Sequence, residues 1–140
     1  MRNDKRGLYY QKDKKAIIYK FYEDEEGQDD FGFDSGESYF KPISPAPLWC
    51  YAKQLSQEQL YYANALKSKE ERLFVFNYLD NVTQGDTLYY VDKDQWYTVS
   101  RTDTTDDYNG ELFVYAEKAK EGIASEDIRP YGYSPQISQI

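Results

Sequence analysis

A chain of 140 residues is long enough to bury one core and too short for two, so a single domain with arms is expected. Its 16 Tyr, 7 Phe and 2 Trp suit half-buried pleated surfaces and protein interfaces, which favours a β protein with protein partners. One cysteine excludes an internal disulfide; no apolar run nears the ~20 residues of a membrane span, and Met1 to Arg6 lacks a signal peptide's apolar stretch, so a soluble, unsecreted protein is expected.

Charge is sorted along the sequence. Residues 1–20 carry Arg2, Lys5, Arg6, Lys12, Lys14, Lys15 and Lys20 against Asp4 and Asp13, a net +5, and residues 1–15 read as a basic arm. Ala16 to Tyr22 reads as the first strand. The sign then reverses: Glu23, Asp24, Glu25, Glu26, Asp29, Asp30, Asp34 and Glu37, with no Lys or Arg between residues 21 and 40, equal the whole protein's net −8. Such blocks are usually solvated surface. Pro42, Pro45 and Pro47 cannot donate to a ladder, so residues 24–47 are predicted to be one connection. Structureless connections beyond about 12–15 residues tend to be functional or disordered. Phe31, Phe33, Tyr39 and Phe40, set beside Gly27, Gly32 and Gly36, make this one more aromatic than disorder needs. A loop that orders against a partner explains both its charge and its aromatics.

The second strand is predicted over Trp49–Leu55, with Cys50 as a small core hydrophobe. Ser56-Gln57-Glu58-Gln59 matches a capping box and predicts a short helix from Ser56 to Lys67, whose apolar stripe would pack on a sheet. Strands follow at Arg72–Leu79, Thr87–Val91, Gln95–Arg101 and Glu111–Glu117. The middle two form a hairpin about Asp92-Lys93-Asp94, and Asn109-Gly110 suits the turn before the last. Short strands with one short helix predict a mainly-β fold, a small antiparallel β-barrel of about six strands spanning residues 16–118. Trp49, Leu73, Val75, Leu88, Trp96, Val99, Leu112 and Val114 are the expected core. Residues 119–140, with Pro130, Pro135 and Tyr131-Gly132-Tyr133, read as an extension that, like residues 1–15, is mobile in a free monomer.

The residues argue against catalysis. With no His, the usual general base, metal ligand and triad partner are missing, and nothing activates Cys50. Asp29, Asp30, Asp34 and Glu37 lack the alternating acidic run and distant Glu of a calcium loop. Gly27, Gly32 and Gly36 precede no Lys-Ser/Thr and no helix start, so they make no phosphate cradle. No metal, no cofactor and no enzymatic activity are expected.

Trp49-Cys50-Tyr51-Ala52, the helix Ser56–Ala65, the strand Arg72–Tyr78, the turn Gly85-Asp86-Thr87, Trp96-Tyr97 and the strand Leu112–Glu117 form an ordered series covering about half the sequence. This series resembles the head-closure proteins of long-tailed bacteriophages, the head–tail adaptor, stopper or head-completion family. The resemblance implies a homo-oligomeric ring in the neck of the virion, at the head–tail interface, assembled in the host cytoplasm without a membrane. Its implied partners are a portal-side adaptor protein, a tail terminator or tail completion protein, and packaged double-stranded DNA held without sequence specificity. It further implies that the connection after the first strand is a channel gate that closes after DNA packaging, formed by Glu23, Asp24, Glu25, Glu26, Asp29, Asp30, Phe31, Phe33, Asp34, Glu37, Tyr39 and Phe40. Lumenal carboxylates would repel the phosphate backbone while the aromatics pack between subunits. The long acidic insert and the tail after Ala119 depart from the family pattern.

Rival readings are a phage-encoded acidic DNA mimic that inhibits a host DNA-binding protein, a tail-completion protein of similar barrel fold, and a barrel binding sugar or peptide through Tyr. A mimic needs charge spread over a folded face, whereas here it lies in one Gly-containing stretch.

Overall fold

The computed structural model describes residues 10–23, 38–55, 71–104 and 110–134. Among these residues seven strands are formed: β1 (Lys14–Glu23), β2 (Ser38–Pro42), β3 (Leu48–Gln54), β4 (Arg72–Asn77), β5 (Thr87–Tyr90), β6 (Gln95–Thr104) and β7 (Glu111–Lys118). The pairings of these seven strands with one another are antiparallel. Six of the strands, in the order β1-β3-β4-β7-β6-β5, close into a barrel through a ladder between β5 and β1. The predicted fold class therefore holds. The predicted helix Ser56–Lys67 and its capping box, residues 1–9 and 135–140, and Asn109 lie outside the described residues.

β1 organises the sheet. Ala16 faces both Leu48 of β3 and Tyr90 of β5, while Tyr19 faces both Pro42 of β2 and Thr87 of β5. β2 and β3 are thus successive segments along one edge of β1, and β5 runs along the other. The break between them, Ile43 to Pro47, carries Pro45 and Pro47 but keeps one ladder bond, from the Ile43 amide to the Ile18 carbonyl at 2.9 Å. The predicted connection over residues 24–47 is accordingly shorter, because Ser38–Pro42 is a strand. Pro42 ends that strand, a position where a missing N–H is tolerated.

The interior alternates as a barrel requires. Ala16 and Ile18 of β1, Cys50 of β3, Phe74 and Phe76 of β4, Leu88 and Tyr90 of β5, Tyr97 and Val99 of β6, and Leu112, Val114 and Ala116 of β7 share one core. Phe74 meets Tyr90 and Tyr97 edge-on, with ring centroids 5.2 and 5.4 Å apart. A second cluster covers the outside of β4, where Leu55, Leu73 and Val75 lie under Tyr10, Tyr51, Phe113 and Tyr115.

The expected core holds for Leu88, Val99, Leu112 and Val114. Leu73 and Val75 are buried, but in the outer cluster, because Phe74 and Phe76 hold the inward phase. Trp49 is a correction: it is 55% exposed, since Cys50 faces inward and puts both neighbours outside. Trp96 is corrected in the same way, because Tyr97 takes the interior. Trp96 stays half-buried against Tyr19 and Tyr89, at centroid distances of 5.8 and 4.7 Å.

Two measurements test this phase. Phe74→Ala should cost about 3–5 kcal/mol in urea melts, against less than ~1 kcal/mol for Trp49→Ala. Burial also pushes the Cys50 thiol from 9.0 up to about 12. A raised pKa means that the folded state holds this proton more tightly, so the contribution is complete below pH 9.0 and is lost as pH climbs towards about 12. Stability over that window should fall more steeply in the wild type than in Cys50→Ala.

Candidate functional site

Past Tyr19 the first strand has left β5 behind, and among the described residues its last ones pair with β2 alone. Lys20 to Glu23 and Ser38 to Lys41 form a two-stranded ribbon rising from the barrel rim. Isolated ribbons of this kind are marginal in water, so this one needs further support. Its cross-strand pairs provide some. Phe21 opposes Phe40 with centroids 5.1 Å apart, and on the other face Tyr22 stacks on Tyr39 at 5.6 Å and 12°. The Lys41 ammonium lies over the Tyr22 ring, 4.6 Å from its centroid.

The ribbon's root is locked electrostatically. Lys20 Nζ donates to Asp86 Oδ2 at 2.7 Å and to Thr83 Oγ1 at 3.2 Å, and the Thr83 amide donates to Asp86 Oδ2 at 2.9 Å. Gly85 adopts φ +95, which an L side chain would resist. Its amide donates to the Val99 carbonyl at 2.9 Å, and the Val99 amide donates to the Asp86 carbonyl at 2.8 Å, fastening the turn to β6. Asp86 is thus committed to structure.

The C-terminal segment gives the remaining support. Expected to be a mobile arm, its residues 119–134 instead pack on the barrel and the ribbon. The Ala119 amide donates to the Trp96 carbonyl at 3.0 Å, and Gly122 lies so close to the Trp96 indole that a Cβ there would overlap the ring. Ile128 then bridges in parallel to Phe40 on the free edge of β2, where the Arg129 amide donates to the Phe40 carbonyl at 2.7 Å. Tyr133 closes the wrap with its ring edge-on to Tyr39, 5.1 Å away, and its carbonyl accepting from Lys41 Nζ at 2.8 Å. An edge strand that could template foreign pairing is thereby covered.

Of the predicted gate residues, the structure places Glu23 exposed at the ribbon tip, Tyr39 buried and Phe40 half-buried. Tyr39 and Phe40 are corrections: they are strand residues held by Tyr22, Phe21 and the C-terminal wrap, not loop aromatics free to pack between subunits. Asp24, Glu25, Glu26, Asp29, Asp30, Phe31, Phe33, Asp34 and Glu37 lie outside the described residues. Sequence reasoning missed the exposed aromatic of the ribbon, Phe21, which is 53% exposed. The signal for the ribbon was present in the Phe-Tyr of residues 21–22 and the Tyr-Phe of residues 39–40, which mirror each other across the acidic stretch.

No protein-family model matches this sequence, and no curated protein matches it either.

The wrap makes a specific prediction. In Gly122→Val the added methyl groups cannot coexist with the Trp96 ring, so residues beyond Ala119 should lift off while the barrel core survives. Limited proteolysis should then trim the C-terminal segment first, with Trp fluorescence shifting to the red, and the far-ultraviolet dichroism of the sheet should be retained.

Proposed function

We propose that this is a structural protein of the bacteriophage neck, forming a homo-oligomeric ring at the head–tail interface that retains packaged DNA. The observation that supports this reading is the ribbon. A closed barrel extends two clamped strands past its rim and attaches to their ends, at Glu23 and Ser38, the stretch that holds the acidic residues. A charged element on a rigid mount suits a gate: the mount fixes where the element enters a channel, and the carboxylates repel phosphate so that DNA does not adhere. The aromatics left for closing the hole are Phe31 and Phe33, because Tyr39 and Phe40 are occupied in the mount. In this reading the ring's neighbours are a portal-side adaptor and a tail completion protein.

The register supplies a clean test. Glu23 and Ser38 face each other as the last pair of the ribbon, so residues 24–37 can be replaced by an Asn-Gly turn without moving either strand. The truncated protein should melt within about 1 kcal/mol of the wild type, because loop closure depends weakly on length. Subunits should still join capsids, but packaged DNA should leak and fewer filled heads should acquire tails. Filled, stable heads carrying the truncated protein would sink the gate and leave the acidic stretch as solvated surface.

A further inference from the structure

We propose that the barrel mouth around Arg72, at the end where β1 begins, binds a carboxylate carried by another polypeptide. Arg72 shares the inward phase of Phe74 and Phe76, so its side chain enters the barrel and closes the core from below. The guanidinium carbon sits 5.2 Å from the Tyr90 ring centroid and 5.9 Å from that of Tyr97. Nε donates to the Tyr97 hydroxyl at 2.9 Å, and that hydroxyl donates to Gln95 Oε1 at 2.8 Å. Two rings and one hydrogen bond therefore fix the plane and rotation of the fork.

Among the described residues the fork is held but not filled. A guanidinium presents five N–H groups. Among the described residues only the Nε–H has an acceptor, and Arg72 joins none of the ion pairs. Arg72 lines a cavity of about 190 Å³ together with Gln54, Glu71, Gln95, Tyr97 and Lys118. Every one of these side chains is polar, and two cations stand against one carboxylate. Glu71 contributes its backbone to the sheet, donating to the Ala116 carbonyl at 2.8 Å and accepting from the Leu55 amide at 3.0 Å, without pairing to Arg72.

Size and charge select the guest. Ligand sites start near ~300 Å³, and a water occupies about 30 Å³, so this mouth holds one functional group and a few waters, not a nucleotide or sugar. A planar group with two oxygens matches an oriented guanidinium in bidentate fashion. Glu71 leaves the lining with one net positive charge, which suits a monoanion better than a phosphate dianion. An Asp or Glu side chain, or the terminal carboxylate of a polypeptide, fits these terms. The inference goes beyond the ring reading and does not depend on it.

The experiment follows the Arg72 Nε–H cross-peak of the full-length protein by NMR. Three probes are titrated: a capped Ala-Glu-Ala peptide, its Gln counterpart and inorganic phosphate. The Glu peptide should shift the signal saturably in the millimolar range, the Gln peptide should not, and phosphate should bind more weakly. Arg72→Lys, followed through the side-chain amide of Gln95 in the same cavity, should weaken the Glu peptide about tenfold, the worth of one charge-assisted hydrogen bond. Because Arg72 also seals the core, Lys118→Gln serves as a second variant. Lys118 is exposed, so the fold should stand while affinity falls several-fold. Equal shifts from the Glu and Gln peptides, tighter binding of phosphate, no saturable shift, or unchanged affinity in Lys118→Gln would each overturn the proposal.

Discussion

The ladder between β1 and β5 is the constraint on which the rest of this molecule depends. It runs from Ala16 opposite Tyr90 to Tyr19 opposite Thr87, and it turns a curled sheet into a closed one. Closure removes two edges at once. A ladder this short needs an anchor, and the anchor stands one residue beyond it, where Lys20 meets Asp86 at 2.7 Å. Asp86 is 9% exposed, so its pairing is screened less than a surface pair and its loss would strand a charge. The same carboxylate accepts from the Thr83 amide within its turn, and the backbone of Gly85 and Asp86 joins that turn to Val99 of β6. One ion pair thus fixes where β1 stops being barrel and starts being ribbon.

That division explains the distribution of aromatic residues. Inside the barrel Phe74, Tyr90 and Tyr97 pack edge to face, while the ribbon carries Phe21, Phe40, Tyr22 and Tyr39 in two cross-strand pairs. Such pairs contribute about 0.5–1.5 kcal/mol each beyond burial. Two of them cannot offset the ordering cost of a ribbon that, among the described residues, no further strand flanks, at ~1–2 kcal/mol per residue. The C-terminal wrap supplies the difference by adding a third line of backbone contact at Phe40 and a tyrosine at Tyr39. The ribbon is therefore held by segments far apart in the sequence, Lys20 to Lys41 and Ile128 to Tyr133.

How much of this was legible follows from which signals are local. Alternation in residues 87–101 and 111–117 revealed the strands, their hairpin and the barrel class, because a period of two is written into neighbouring residues. Phase was harder where both faces carry large residues. In Trp49-Cys50 and Trp96-Tyr97 the bulkier ring suggests the inside, yet a narrow barrel admits Cys50 and Tyr97 and leaves the indoles out. β2 was hidden by Pro42, Pro45 and Pro47, although Pro42 merely ends it and the other two lie in the break before β3. The wrap of residues 119–134 has no period, since it is held by single contacts to Trp96, Phe40 and Tyr39. In the sequence Arg72 only opens a predicted strand; the fold is what turns it inward, over the Tyr90 ring.

The two ends of the barrel now differ in kind. β1 begins beside the mouth that holds Arg72 and Lys118, and after ten residues ends at Glu23, where the acidic stretch is attached. At ~3.3 Å per residue the two ends of β1 stand about 30 Å apart, well beyond the ~8 Å screening length at physiological salt, so charge at one end is screened from charge at the other. A two-fold contact between copies brings like surface to like surface, which at either end means like charge against like charge. Contacts that repeat head to tail set one end's charge against another surface and generate rings when the rotation closes. On the proposed ring reading, a heterologous contact between subunits would draw on the path of β1 and on the order of charge along the sequence.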